Sequence, residues 1–137
     1  MITHIQLTRE EIPGLIPPPG LPGVGAWTEF RRLVRDVEDG HHIVALEFEA
    51  CAGMAEKEME RLLQSLAARH PILAATIIHR TGEIPVGEAA IYVGIASTHR
   101  TDGMACLAAF MDGLKHEVPV WQCRARAASG PTEGARA

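Results

Sequence analysis

A chain of 137 residues, 47% hydrophobic and 22% charged, has the length and composition of one ordinary globular domain. That apolar content excludes a disordered chain. No run of about 18 or more apolar residues offers a membrane-spanning helix, and a net charge of -4 leaves no basic footprint for nucleic acid.

The basic residues divide unevenly, into 11 arginines and two lysines, Lys57 and Lys115, so a chemistry that needs an amine has two places to find one. The first residues, MITHIQLTREE, lack the basic segment and apolar core of a signal peptide. Cys51, Cys106 and Cys123 are an odd number with no CxxC pair, so neither a disulfide framework nor a zinc pattern is expected. A reducing, cytoplasmic setting follows as the expectation. The histidines are scattered, and adjacent His41 and His42 would point to opposite faces of a strand, so no metal site is expected.

In chain order, residues 2–7 read as a short strand. Residues 13–23 hold five of the nine prolines, interleaved with glycines, and read as a loop. Residues 24–35 and 42–49 read as two strands around a polar turn at 36–40. The second places Val44, Leu46 and Phe48 on one face and Ile43, Ala45 and Glu47 on the other. Residues 54–69 read as an amphipathic helix, with Met59, Leu62, Leu63 and Leu66 at three- and four-residue spacing and Pro71 beyond its end. Residues 72–79 and 89–96 are strongly apolar and read as central strands. Gly82, Pro85 and Gly87 mark a loop between them. Residues 100–116 read as a second helix with Met104, Leu107, Ala108, Met111 and Leu114 on its buried stripe. Residues 120–124 read as a last strand, and 127–137 as a small, polar, disordered tail behind a single domain over 1–126. Helices interleaved with a mixed sheet predict a two-layer α+β domain with two main helices.

Three features could carry chemistry. His99-Arg100 opens the second helix, with Ser97 and Thr98 as plausible caps. Cations at a helix N-terminus oppose its partial positive charge, which makes sense if an anion sits there. Pairing of Arg100 with Asp102 is the plainer reading. Lys115 shares the edge of the predicted stripe, where desolvation and nearby arginines would loosen a lysine's proton and leave a base or nucleophilic amine. A snorkelling lysine that complements the helix dipole is the plainer reading here. Arg35 follows Arg31 and Arg32 at a strand end and, taken alone, is a solvated charge. Trp121 reads as a core anchor. No GxSxG, Walker or Rossmann pattern is present.

The run His79-Arg80-Thr81-Gly82-Glu83-Ile84-Pro85-Val86-Gly87-Glu88, then Ser97-Thr98-His99-Arg100, then Met111-Asp112-Gly113-Leu114-Lys115 through Val118-Pro119-Val120-Trp121, keeps one ungapped spacing. Gly25-Ala26, Phe30, Val34-Arg35, Leu46 to Glu49 and Gly53 to Lys57 extend the pattern upstream. Over nearly all of residues 24–124 the chain resembles the large, catalytic subunit of molybdopterin synthase.

The resemblance implies an α/β hammerhead-type fold and a homodimer. Each large subunit would bind a small ubiquitin-like sulfur carrier, giving a heterotetramer. The carrier's C-terminal thiocarboxylate would deliver two sulfurs to cyclic pyranopterin monophosphate, forming the dithiolene of molybdopterin without a metal or other cofactor. By motif, Arg35, His99 and Arg100 match anion- and pterin-binding positions, the His-Arg pair serving a site shared across the dimer. Lys115 matches a catalytic lysine with a proton-transfer or amine role. Val34, Gln122 and Arg124 are secondary candidates.

The chain also departs from the family pattern. Gln122 stands where the family has a second lysine, and it supplies no charge. Arg124 falls two positions late. Arg32-Leu33 replaces a glycine before the Val-Arg pair, and Phe48-Glu49-Ala50-Cys51 stands for a Tyr-Glu-x-Tyr run. Three readings follow: an active sulfurtransferase working with one lysine, a catalytically impaired paralogue that binds the carrier or a pterin phosphate, or reuse of the anion pocket for another small molecule.

Overall fold

Residues 1–128 are described in a computed structural model of the chain. The elements are β1 (Ile2–Thr8), β2 (Ala26–Leu33), β3 (Val37–Glu38), β4 (His41–Ala50), α1 (Met54–Ala67), β5 (Ala74–Arg80), β6 (Gly82–Pro85), β7 (Ala89–Ser97), α2 (Arg100–Glu117) and β8 (Val120–Ala127). The α+β class with two main helices is as expected. The strands divide between two sheets.

The first sheet runs β1-β5-β7-β2, with β1 parallel to β5 and the other pairs antiparallel. Every residue of β7 is buried, because both faces of this sheet are covered. Ile77, Ile91, Val93 and Ile95 point toward the helices and pack with Met59, Leu63, Cys106 and Phe110. Ile78 and Tyr92 point the other way and pack with Ile12, Ile16 and Trp27. The two-residue period of a strand separates the sets. The proline-rich loop therefore helps cover the back of the sheet. Arg31 pins it: Nη2 donates to the carbonyls of Pro13 (2.6 Å) and Gly14 (3.1 Å), and the guanidinium lies 4.8 Å from the centroid of the Tyr92 ring.

The second sheet centres on β4, which pairs antiparallel with β6, β8 and, at its start, β3. Its core holds Val34, Ile43, Leu46, Phe48, Ile84 and Ala125.

Five local expectations are corrected. The 82–87 loop contains β6, whose residues pair from Phe48↔Gly82 to Ala45↔Pro85. Partnership with β4 supplies hydrogen bonds that the breakers' own propensities conceal. The 36–40 turn contains β3 and closes through Asp39 (φ 52) and Gly40 (φ 78), the doubly positive pair of a tight hairpin. Strand β4 does not alternate cleanly. Ile43 and Ala45 are buried beside Leu46 and Phe48 while Val44 is exposed, because its register against β8 shifts between Ile43 and Ala45 and again after Glu47.

Helix α1 buries the predicted Met59, Leu62, Leu63 and Leu66; on α2 the predicted Leu114 is buried and Leu107 and Met111 pack partly buried against the core, but the other buried places go to Gly103, Cys106 and Phe110. Met104 is 57% exposed and Ala108 is exposed. A Cβ at Gly103 would lie 2.8 Å from Ser97 Oγ, and one at Gly113 would lie 2.7 Å from Leu62 Cδ1. The glycines decide which face of α2 sits closest to its neighbours. The last strand runs to Ala127, past the expected end at 124. The rest of the predicted tail, 129–137, lies outside the described residues. Among those described, no helix is long and apolar enough to cross a membrane.

Candidate functional site

Pro119 stops α2, and the Val118 N–H closes the helix on the Leu114 carbonyl at 3.4 Å. The Pro119 carbonyl accepts from the Cys51 N–H at 3.1 Å, so the chain turns at once into β8 beside β4. This short turn folds Trp121 and Gln122 back beside Lys115. Between them opens a cavity of about 430 Å³, lined by Arg32, His79, Asp112, Lys115, Trp121 and Gln122 among others. That size suits a small organic ligand.

Two side chains differ from expectation here. Lys115 is exposed and not held against apolar surface as expected, since the buried ridge of α2 passes through Leu114. Trp121 is 48% exposed and lines the cavity; the buried places at this corner belong to Phe48 and Val118. Gln122 Nε2 donates to Glu38 Oε2 at 3.2 Å, which ties the cavity wall to β3.

His79 has no predicted role, yet it is the buried titratable side chain of this cavity, 5% exposed at the end of β5. Its Nδ1 lies 2.9 Å from the Arg80 carbonyl, which only accepts, so the proton is assigned to Nδ1 and Nε2 carries the lone pair. The ring meets Phe48 edge-on, with centroids 5.7 Å apart. Burial lowers its pKa to about 4, assisted by the Arg32 charge and opposed by the Arg80 carbonyl. The ring is neutral at pH 7. A histidine inside the otherwise apolar run 72–79 was the available signal.

The neighbouring motif residues do structural work. Arg80 Nη1 pairs with Glu88 Oε1 at 2.6 Å, and Glu83 pairs with Arg126. Val34 is buried and exchanges backbone hydrogen bonds with Gly87 and Glu88. Arg35, just past β2, is exposed and does not line the cavity. Arg124 lies 3.4 Å from Glu47 and lines a different hollow with Arg9, Glu83 and Arg126.

His99 is the N-cap of α2 and Arg100 its first residue, both exposed. The expected caps do not form: Ser97 is buried and its hydroxyl donates to the His99 carbonyl at 2.7 Å. No ion pair joins Arg100 to Asp102 among the described residues. The helical rise separates Arg100 from Lys115 by about 22 Å along α2. One chain cannot bring both ends of that helix onto one small ligand.

Among the described residues, ligating atoms of Glu47, Glu49 and Cys123 lie within 4.8 Å of one another. Burial and the two carboxylates raise the Cys123 thiol's pKa, which opposes the thiolate that a metal needs. Burial likewise pushes Cys106 up to about 11.

Two stacked helices on one sheet, a second sheet open on one face, and a lysine-bearing cavity at their seam define an α+β domain with a site of small-molecule size. The family model for MoaE protein matches residues 5–117. The molybdopterin synthase catalytic subunit of Drosophila willistoni is 38% identical over 104 residues, covering 75% of this chain and 28% of that protein. The chain spans about half the length of the rice and human relatives that it also matches. A crystal structure of molybdopterin synthase from Staphylococcus aureus superposes with a TM-score of 0.79 at 24% identity, covering 94% of this chain and 96% of that one. A complex of subunits 1 and 2 of the Helicobacter pylori molybdopterin-converting factor gives a TM-score of 0.65 at 18% identity, covering 80% and 70%. The chain belongs to the MoaE protein family.

Proposed function

We propose that this chain is the sulfur-transferring subunit of a molybdopterin synthase. It takes sulfur from the thiocarboxylated C-terminus of a small ubiquitin-like carrier and adds it to cyclic pyranopterin monophosphate in the cytoplasm. The observation that carries this reading is the meeting of Lys115 with Trp121, Gln122, Arg32 and His79 around one cavity of about 430 Å³. Lys115 supplies the amine, for proton transfer or as a nucleophile during sulfur addition. Its exposure leaves it open to an incoming carrier tail. The Helicobacter pylori complex supports a two-subunit assembly as the working form.

His99, Arg100 and Arg35 bind the phosphate or the thiocarboxylate, both anions suited to guanidinium groups and a helix N-terminus. They lie away from this chain's cavity, so a second copy brings its His99-Arg100 pair to it. Strand β2 supports the dimer: it is an edge strand, with Phe30 and Leu33 exposed. Free Cys51, Cys106 and Cys123 agree with a reducing compartment.

The test is conversion of cyclic pyranopterin monophosphate to molybdopterin with a thiocarboxylated carrier. Lys115→Ala is expected to lower turnover by about 10²–10⁴-fold, the range of a general acid–base group. Unchanged turnover would remove Lys115 from the mechanism.

A second reading, a catalytically impaired paralogue that binds carrier or pterin phosphate, is favoured by Gln122. Its amide is engaged by Glu38 and brings no charge to the cavity. Gln122→Lys separates the two. No gain in turnover means another residue fills the role, whereas a large gain from a near-inactive wild type establishes impairment.

A further inference from the structure

The motif that opens the segment 79–88 places one buried, uncharged imidazole in the wall of the Lys115 cavity. The charged groups that line the same space are Arg32 from β2 and Asp112 and Lys115 from α2. The Arg80 carbonyl holds the Nδ1 proton, and Nε2 has no hydrogen-bond partner among the described residues. Phe48 fixes the ring plane from the side. The cavity therefore presents two kinds of acceptor, the neutral Nε2 lone pair and the Asp112 carboxylate, beside the donors of Arg32 and Lys115.

We propose that His79 is a substrate-positioning residue, whose Nε2 accepts a hydrogen bond from an N–H of the pterin seated beside Lys115. This rests on the reading of the cavity as the pterin site. A reduced pterin carries ring N–H and amino donors. An oxyanion seated there would be served by Arg32 and Lys115 and repelled by the Nε2 lone pair, so His79 orients the heterocycle and not the phosphate. The low pKa that burial imposes keeps the acceptor available throughout the neutral range.

Two substitutions separate positioning from packing. His79→Asn keeps an amide near Nδ1 that can donate to the Arg80 carbonyl, but it loses the acceptor at Nε2. His79→Gln carries an amide oxygen out to the Nε2 position. Binding of cyclic pyranopterin monophosphate to the full chain is measured by calorimetry, with KM and kcat taken in the synthase assay and Tm as the control. For the Asn variant, Kd and KM are expected to rise about tenfold with kcat little changed, the worth of one ligand hydrogen bond. The Gln variant is expected to return to within about threefold of wild type. Equal weakening in both variants with a matching fall in Tm overturns the assignment in favour of a packing role. An Asn variant that binds like wild type also overturns it. Wild-type protein that fails to bind the pterin overturns the reading of the cavity, and the assignment with it.

Discussion

The helix-backed sheet and the sheet around β4 differ in what covers them. Strand β7 is buried along its whole length, with α1 and α2 on one side and Ile12, Ile16 and Trp27 on the other. Strand β8 has one face on the second core and leaves Trp121, Arg124 and Arg126 exposed. A sheet closed on both faces has little polar surface to offer a ligand, so it acts as scaffold. The cavity draws its charged and titratable side chains from the ends of that sheet and from its helix, Arg32 of β2, His79 of β5 and Asp112 and Lys115 of α2, while the half-open sheet adds Trp121 and Gln122. His79 sits at the seam, next to the last residue of β5 but packed on Phe48 of the open sheet.

That contrast can be broken at several levels. Phe110 is fully buried between α2 and the first sheet. Phe110→Ala is expected to cost about 3–5 kcal/mol in urea denaturation. A loss below about 1 kcal/mol would show that the closed sheet is not the stabilising half.

Acid probes the seam. Between the ordinary histidine pKa of 6.5 and the folded value of about 4, the unfolded chain binds a proton at His79 that the folded chain does not. Stability from keeping this ring neutral is complete above pH 6.5 and is lost as pH falls to about 4. The loss is about 3 kcal/mol. The denaturation midpoint of wild type should fall relative to that of His79→Asn as pH drops over that window. Parallel curves would place the ring in water.

The smallest effect belongs to the open sheet. The Arg124–Glu47 pair is exposed at 3.4 Å, so Arg124→Ala is expected to change stability by less than about 1 kcal/mol. A loss of several kcal/mol would make the outer face of β8 part of the scaffold.

Much of this molecule is legible along the chain. The three- and four-residue spacing of Met59, Leu62, Leu63 and Leu66 defines a helix and its buried face, because Leu and Met side chains at that spacing share one side of any helix. The apolar runs 72–79 and 89–96 become β5 and β7 with ends shifted by a residue or two. Lys115 and Trp121 are bracketed by a helix stop at Pro119, and that local geometry brings them to one cavity. Helix α2 departs from its expected stripe because its methionines outweigh its glycines on a hydrophobicity count. Burial there follows the close approach at Gly103 and Gly113, a property of the neighbouring Ser97 and Leu62.

The sequence by itself determined the two helices, the six longer strands, the α+β class and the candidate amine, since periodicity and proline stops act within a few residues. Tertiary structure alone decided three things: that Trp121 faces the cavity and not the core, that β6 pairs with β4, and that His79 is a buried neutral acceptor beside Lys115. Each depends on contacts between residues far apart in the chain. Burial, strand partnership and the desolvation of a ring arise only when those segments pack together.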